Sequence, residues 1–182
     1  MKKLHMSAMA LALTTFAAGA AQAEDNFGGK KGLSVSTGGA SLGLGGASTG
    51  FAFDYGLANM AIEAGLGIDA FMPKKGDTEK TISFNAGLHY NALHASQAAF
   101  TAGGRLRLAM DKAGPEDRTS IGIDIPMRVY WFPNSNFSLH AETGIAINMV
   151  GKFGSAFAPG ATEGTKLAIL TPIGGLGATF WW

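Results

Sequence analysis

Three residues in the stretch FSLHAETG could do chemistry together. Ser138, His140 and Glu142 stand at alternate positions, and a nucleophile, a base and an orienting carboxylate are the parts of an acyl-transfer site. On an extended strand all three project from one face. The same geometry limits them, because neighbours at i and i+2 lie ~7 Å apart and a base must come within ~2.6–3.2 Å of its nucleophile. Asp69, His89 and Asp124 are also metal-binding types, but their spacing matches no metal motif. The chain has no cysteine, which excludes a thiolate site and any reliance on disulfides. Neither catalytic, cofactor nor metal residues are assigned from the sequence, and no cofactor is expected.

The elements that would position these residues read as strands. In NMAIEAGLGIDAFM, Met60, Ile62, Ala64, Leu66, Ile68, Ala70 and Met72 alternate with Ala61, Glu63, Gly65, Gly67, Asp69 and Phe71. Period two over this length predicts a long strand with one apolar face. TISFNAGLHYNA repeats it, with Ile82, Phe84, Ala86, Leu88 and Tyr90 against Ser83, Asn85, Gly87, His89 and Asn91. AFTAGGRLRLAM sets Leu106, Leu108 and Met110 against Arg105 and Arg107. SIGIDIPMRVYW sets Ile121, Ile123, Ile125 and Val129 against Asp124, Pro126, Arg128 and Tyr130. FSLHAETGIAINM follows, and LAILTPIGGLGATFWW places Ala168, Leu170, Leu176, Ala178, Phe180 and Trp182 on one face. GLSVSTGG and GFAFDYGL are weaker strands, separated by the Gly-rich ASLGLGGAS, where the register is open. The total is eight, and most runs reach the ~9–11 residues of a tilted membrane strand.

The two ends of the chain set the surroundings. Lys2 and Lys3, a short apolar stretch and the triplet Ala21-Gln22-Ala23 form the three parts of a secretory signal peptide, with cleavage expected before Glu24. Residues 1–23 are thus read as a leader and 24–182 as one domain. Taking Lys2 and Lys3 from the 14 basic residues leaves 12 against 13 acidic ones, a balance that suggests no nucleic-acid partner. Beyond residue 23 no stretch approaches the ~20 apolar residues of a spanning helix. A membrane location would have to use strands.

The polar faces decide between a soluble barrel and a membrane barrel. A water-facing strand surface normally carries lysine, yet Lys30, Lys31, Lys74, Lys75, Lys80, Lys112, Lys152 and Lys166 all fall in connections or at strand edges. The polar faces hold small residues and a few ions, which suits an enclosed lumen. The apolar faces then meet lipid, and closure leaves no strand edge unpaired in hydrocarbon. Connections alternate between the shorter GLAN, NALHASQ and FPNSN and the longer or more charged GGASLGLGGAS, PKKGDTEK, DKAGPEDRTS and GKFGSAFAPGATEGT. Tyr55, Tyr90, Phe100, Trp131, Phe132, Phe137, Phe180 and Trp182 gather near the short-turn end, as an interfacial girdle would.

The terminal LGATFWW carries a resemblance. Leu176, Ala178, Phe180 and Trp182 alternate up to a final aromatic residue, and in this the chain resembles the small eight-stranded bacterial outer-membrane barrels of the OmpA/OmpX kind. Those usually end on Phe, where Trp182 stands here. The resemblance implies a cell-envelope protein of a Gram-negative bacterium. It also implies that Leu176, Ala178, Phe180 and Trp182 form the signal read by the barrel-assembly machinery. Outer-membrane lipid and lipopolysaccharide are the expected surroundings, the latter met by Lys74, Lys75 and Lys80. A monomer is favoured.

Eight strands enclose an interior just wide enough for side chains. The inward residues include Asp54, Glu63, Asp69, His89, Arg105, Arg107, Asp124, Arg128, His140 and Glu142. Hairpin folding places Arg105 or Arg107 opposite Asp124, Arg128 opposite His140 or Glu142, and Asp54 beside Glu63, with Arg105 as the cation for that like-charged pair. The expected protein is a charge-filled barrel with a structural or surface-interaction role. A narrow porin-like channel is the alternative. A lipid A-modifying enzyme built on Ser138, His140 and Glu142 is the third reading.

Overall fold

The computed structural model describes residues 27–37, 49–57, 59–71, 79–113, 116–157 and 163–182. The expected leader and most of the longer connections, Lys74 and Lys75 included, lie outside the described residues. Eight strands follow in order: β1 (Lys31–Thr37), β2 (Thr49–Leu57), β3 (Met60–Phe71), β4 (Glu79–Ala95), β5 (Ala98–Ala113), β6 (Glu116–Asn134), β7 (Phe137–Val150) and β8 (Gly164–Trp181). Each pairs antiparallel with its sequence neighbour, and β1 pairs with β8 to close a barrel. No helix among the described residues is long and apolar enough to cross a membrane.

Alternation determines which face each residue takes. One cross-strand row runs Val35, Phe51, Leu66, Phe84, Leu108, Ile121, Met149 through seven strands, every pair in register. All seven side chains are exposed on the outer wall, between 36% (Val35) and 57% (Phe51). A barrel wall covered in this way has no apolar core of its own on that side. The inner face is the reverse, with Ser34, Asp54, Glu63, Asn85, His89, Arg105, Arg107, Asp124, Arg128 and Glu142 all buried.

Hairpins are tighter than the residue types suggest. The stretch expected as the loop DKAGPEDRTS is mostly strand, and Asp111, opposite Arg118 on the ladder, forms an ion pair with it. Opposite charges facing one another stabilise such an extension. NALHASQ contracts to a turn at Ser96 and Gln97, with a register shift between Asn91 and Leu93. The turn at Ser135 and Asn136 is held by the Asn136 amide donating to Asn134 Oδ1 at 3.0 Å.

Two face assignments change. Register shifts between Glu142 and Ile145 slip β8 by an odd number of residues, so Leu167, paired with Ile147, is the exposed position there. The side chains of Ala168 and Leu170, expected on the face of Leu176, Phe180 and Trp182, lie outside the described residues. Phe132 also leaves the expected girdle. Tyr55, Tyr90, Trp131, Phe180 and Trp182 are exposed, but Phe132 is buried and turns inward.

Among the described residues, buried side chains enter the barrel at both mouths. At the end with the tight turns, Phe27 enters from the segment before β1 and is 1% exposed. Its ring meets Tyr130, Phe132 and Trp181 edge-on at centroid distances of 5.3, 5.7 and 5.3 Å. The segment is tied down by Gly29 N donating to Gly56 O and Gly56 N to Lys30 O, at 2.9 and 2.8 Å. Only glycine fits at 56, where a Cβ would lie 1.7 Å from the Phe27 carbonyl oxygen. At the other end the β7–β8 connection folds inward. Ser155, Ala156 and Phe157 are buried there, and the Ala156 amide donates to Ser120 Oγ at 2.9 Å.

Phe27→Ala empties the first mouth and is expected to cost about 3–5 kcal/mol, the usual range for a buried phenylalanine. Phe153→Ala, at an exposed ring, should stay within about 0.5 kcal/mol. Equilibrium unfolding of the folded barrel checks both, and equal midpoints would remove Phe27 from the mouth.

Candidate functional site in the barrel lumen

The centre of the lumen is an ion cluster assembled from strands far apart in sequence. Arg105 on β5 extends its guanidinium between three acids, reaching Glu142 Oε1 at 2.6 Å, Asp124 Oδ2 at 2.9 Å and Glu63 Oε1 at 3.5 Å. Arg128 on β6 pairs with Glu63 and with Glu142, and donates to the Tyr130 hydroxyl at 3.2 Å. Arg107 pairs with Asp124 at 2.7 Å, donates to Asn148 Oδ1 at 2.8 Å and lies under the Phe157 ring at 4.3 Å. His89 Nε2 stands 3.6 Å from Glu63 Oε2.

Register explains most of these contacts. Arg105 faces Asp124 directly, Arg128 faces Glu142, and Asp54 faces Glu63. The cation nearest Glu63 is Arg128 from the far wall, with Arg105 behind it. Asp54 receives neither. Its carboxylate accepts from the Ser34 hydroxyl, which itself accepts from Thr179 Oγ1 at 3.2 Å. Asp69 lies on β3 opposite Thr81, six residues from Glu63 and so about 20 Å along the strand. Its side chain is outside the described residues.

The row Ser138, His140, Glu142 is engaged piece by piece with other groups. Ser138 Oγ accepts from Trp181 Nε1 at 2.9 Å, Glu142 is held by Arg105 and Arg128, and the His140 ring tilts against Tyr130 at 5.2 Å. Among the described residues no hydrogen bond joins the three. Nor, among those residues, does any group of three His, Asp or Glu converge as a metal site.

Space for these side chains comes from inward glycines. A Cβ at Gly65 would lie 2.3 Å from Asn85 Nδ2, and one at Gly177 would lie 2.3 Å from His140 Nε2. The aromatic stopper and the loop cap are the parts that strand alternation does not announce. Phe27 precedes the first strand and Phe157 sits in a connection. The one available signal was phenylalanine in otherwise small, polar segments, Phe27 in one and Phe153 and Phe157 in the other.

On the outer wall at the barrel's end, Phe180 stacks on Trp182 at 6.1 Å and Phe53 meets Trp182 edge-on at 6.3 Å. Leu176, Phe180 and Trp182 are exposed, while Trp181 is 1% exposed and turned into the mouth. Comparison with known proteins adds nothing to this geometry: no family model and no curated protein matches the chain.

Arg128→Ala leaves Glu63 and Glu142 short of a partner inside the lumen. Breaking a buried pair costs roughly 3–5 kcal/mol, and unfolding measurements should show a loss of that size. An unchanged midpoint would mean that the cluster does not hold the barrel together.

Proposed function

We propose that the chain is an integral outer-membrane β-barrel whose lumen is occluded, with a structural or surface-interaction role in the cell envelope. The observation that carries the reading is the inverted wall. Apolar side chains cover the outside of all the described strands, while the ions are buried and paired within. In water such a surface would be a continuous apolar patch far beyond the few hundred Å² that soluble monomers expose. In a bilayer it is the expected exterior, and the closed ladder supplies the backbone partners that lipid cannot. The leader at residues 1–23 and the terminal alternation of Leu176, Ala178, Phe180 and Trp182 support export and handling by the barrel-assembly machinery. Lipid and lipopolysaccharide are the proposed surroundings, and the protein is read as a monomer of the OmpA/OmpX-like kind.

Occlusion favours the structural role over a porin-like one. A solute crossing the barrel would meet the Phe27 cluster, then the arginine–carboxylate cluster, then Phe157. Each places buried side chains across that path. A lipid-modifying enzyme would also need its substrate to reach Ser138, whose hydroxyl is bonded to Trp181 inside the mouth.

The test is conductance of residues 24–182 refolded into a planar bilayer, after the unboiled sample has shown the shifted gel mobility of a folded barrel. A silent, folded barrel is the expected result. Reproducible current steps would overturn occlusion and make Arg105, Arg107 and Arg128 selectivity residues of a narrow channel. Failure to partition into bilayers would overturn the membrane reading itself.

A further inference from the structure

Counting charges in the lumen leaves a remainder. Asp54, Glu63, Asp124 and Glu142 are all buried, and so are Arg105, Arg107 and Arg128. Four acids therefore face three guanidinium groups among the described side chains, and the buried His89 imidazole, 3.6 Å from Glu63, adds a positive charge only when it is protonated. Contacts show which acid is left over. Glu63 touches Arg105 and Arg128, Asp124 touches Arg105 and Arg107, and Glu142 touches Arg105 and Arg128. Asp54 has no arginine, lysine or histidine nitrogen within 4.0 Å among the described residues. Its ladder partner is another acid, Glu63, and it is 1% exposed. A buried, unpaired carboxylate beside a second one carries a desolvation cost of several kcal/mol, which a bound positive charge removes.

A second feature lies beside the pair. Ser34, Glu63, Asn85, Arg105, Arg128 and His140 help line a cavity of about 20 Å³. That exceeds the ~10–15 Å³ a water-sized guest needs. Asn85 is 8% exposed and its Oδ1 has no hydrogen-bond partner, and His140 Nδ1 has none either. Buried oxygens left unpaired cost about 1–3 kcal/mol each. Of the two acids Glu63 lines that space and Asp54 does not; Ser34, whose hydroxyl bonds Asp54, and Asn85 bring neutral oxygens to its edge.

We propose that the lumen binds one monovalent cation at the Asp54–Glu63 pair, either a proton or an alkali ion of sodium size. The remaining groups around Asp54 are set by the barrel. Ser34 stands on β1 and Glu63 on β3, with His89 on β4, Arg105 on β5, Arg128 and Tyr130 on β6, His140 and Glu142 on β7 and Thr179 on β8. The three arginines stay with the three other carboxylates through the contacts already described, and the guest charge brings the lumen to balance. The inference rests on the barrel interior alone, so failure of the membrane reading and failure of this one are separable.

The test is urea unfolding of the folded barrel across pH in choline buffer, and against added sodium at fixed ionic strength. If the guest is a proton, the native barrel holds one more proton than the unfolded chain. Stability then falls as pH rises above the ordinary aspartate range near 3.9, with the unfolding constant rising up to about tenfold per pH unit. If the guest is sodium, that constant falls up to about tenfold per decade of added salt. Asp54→Asn should flatten whichever response wild type shows. Glu63→Gln is the second variant, since it too leaves three acids against three arginines, and it should flatten the same response. A wild type no more sensitive to pH or sodium than both variants would overturn the proposal, as would variants that keep the full response.

Discussion

Everything inside this barrel follows from the width that eight strands enclose. The interior admits side chains and little water, so an ion placed there has to be matched by another ion or by hydrogen bonds. Arg105 meets that demand by standing within reach of Glu63, Asp124 and Glu142 at once. Its three partners come from β3, β6 and β7, which fixes those walls relative to β5. A guanidinium suits the task because its planar fork offers several donors in fixed directions. Lysine would present a single point of charge to the same three carboxylates.

The outer wall obeys the opposite rule with the same alternation. A one-residue slip anywhere would send charge outward and leucine inward, so the ion cluster and the apolar belt enforce each other's register. Where the register does slip, in β8 between the partners of Glu142 and Ile145, the pattern of exposed residues slips with it. Glycines make the arrangement possible on the inside. Gly65 and Gly177 leave the space that Asn85 and His140 occupy.

Much of this was legible in the residues. Alternation of Ile, Leu and Met with Asp, Glu and Arg located the strands and their faces, and hairpin arithmetic put Arg105 against Asp124 and Arg128 against Glu142. Four things were not legible. Bulges insert single residues without a composition signal, so the register shifts of β8 between the partners of Glu142 and Ile145 have no sequence mark. Hairpin ends were drawn short, because DKAGPEDRTS has loop-like composition although its charges pair across the ladder. The long reach of Arg128 to Glu63 depends on barrel diameter, which no local pattern contains. Phe27 and Phe157 obey no period at all, and their positions follow only from where the chain is led by Gly56 and by Ser120.

The two aromatic closures bear on what the ion cluster is for. A pore needs charge that ions can approach and leave, which means a wet path from at least one mouth. Here the cluster lies between a stopper of four rings at one end and the Phe157 cap at the other, and Trp181 is bonded to Ser138 within the first. Burial between these rings places Arg105 and Arg128 in surroundings of low polarity, where each charge–charge contact is stronger. It also raises the cost of any charge left unmatched. The seals and the cluster are thus coupled: closure makes the paired ions hold the walls more firmly, and it makes the one unpaired carboxylate, Asp54, the group whose compensation the closed barrel most depends on.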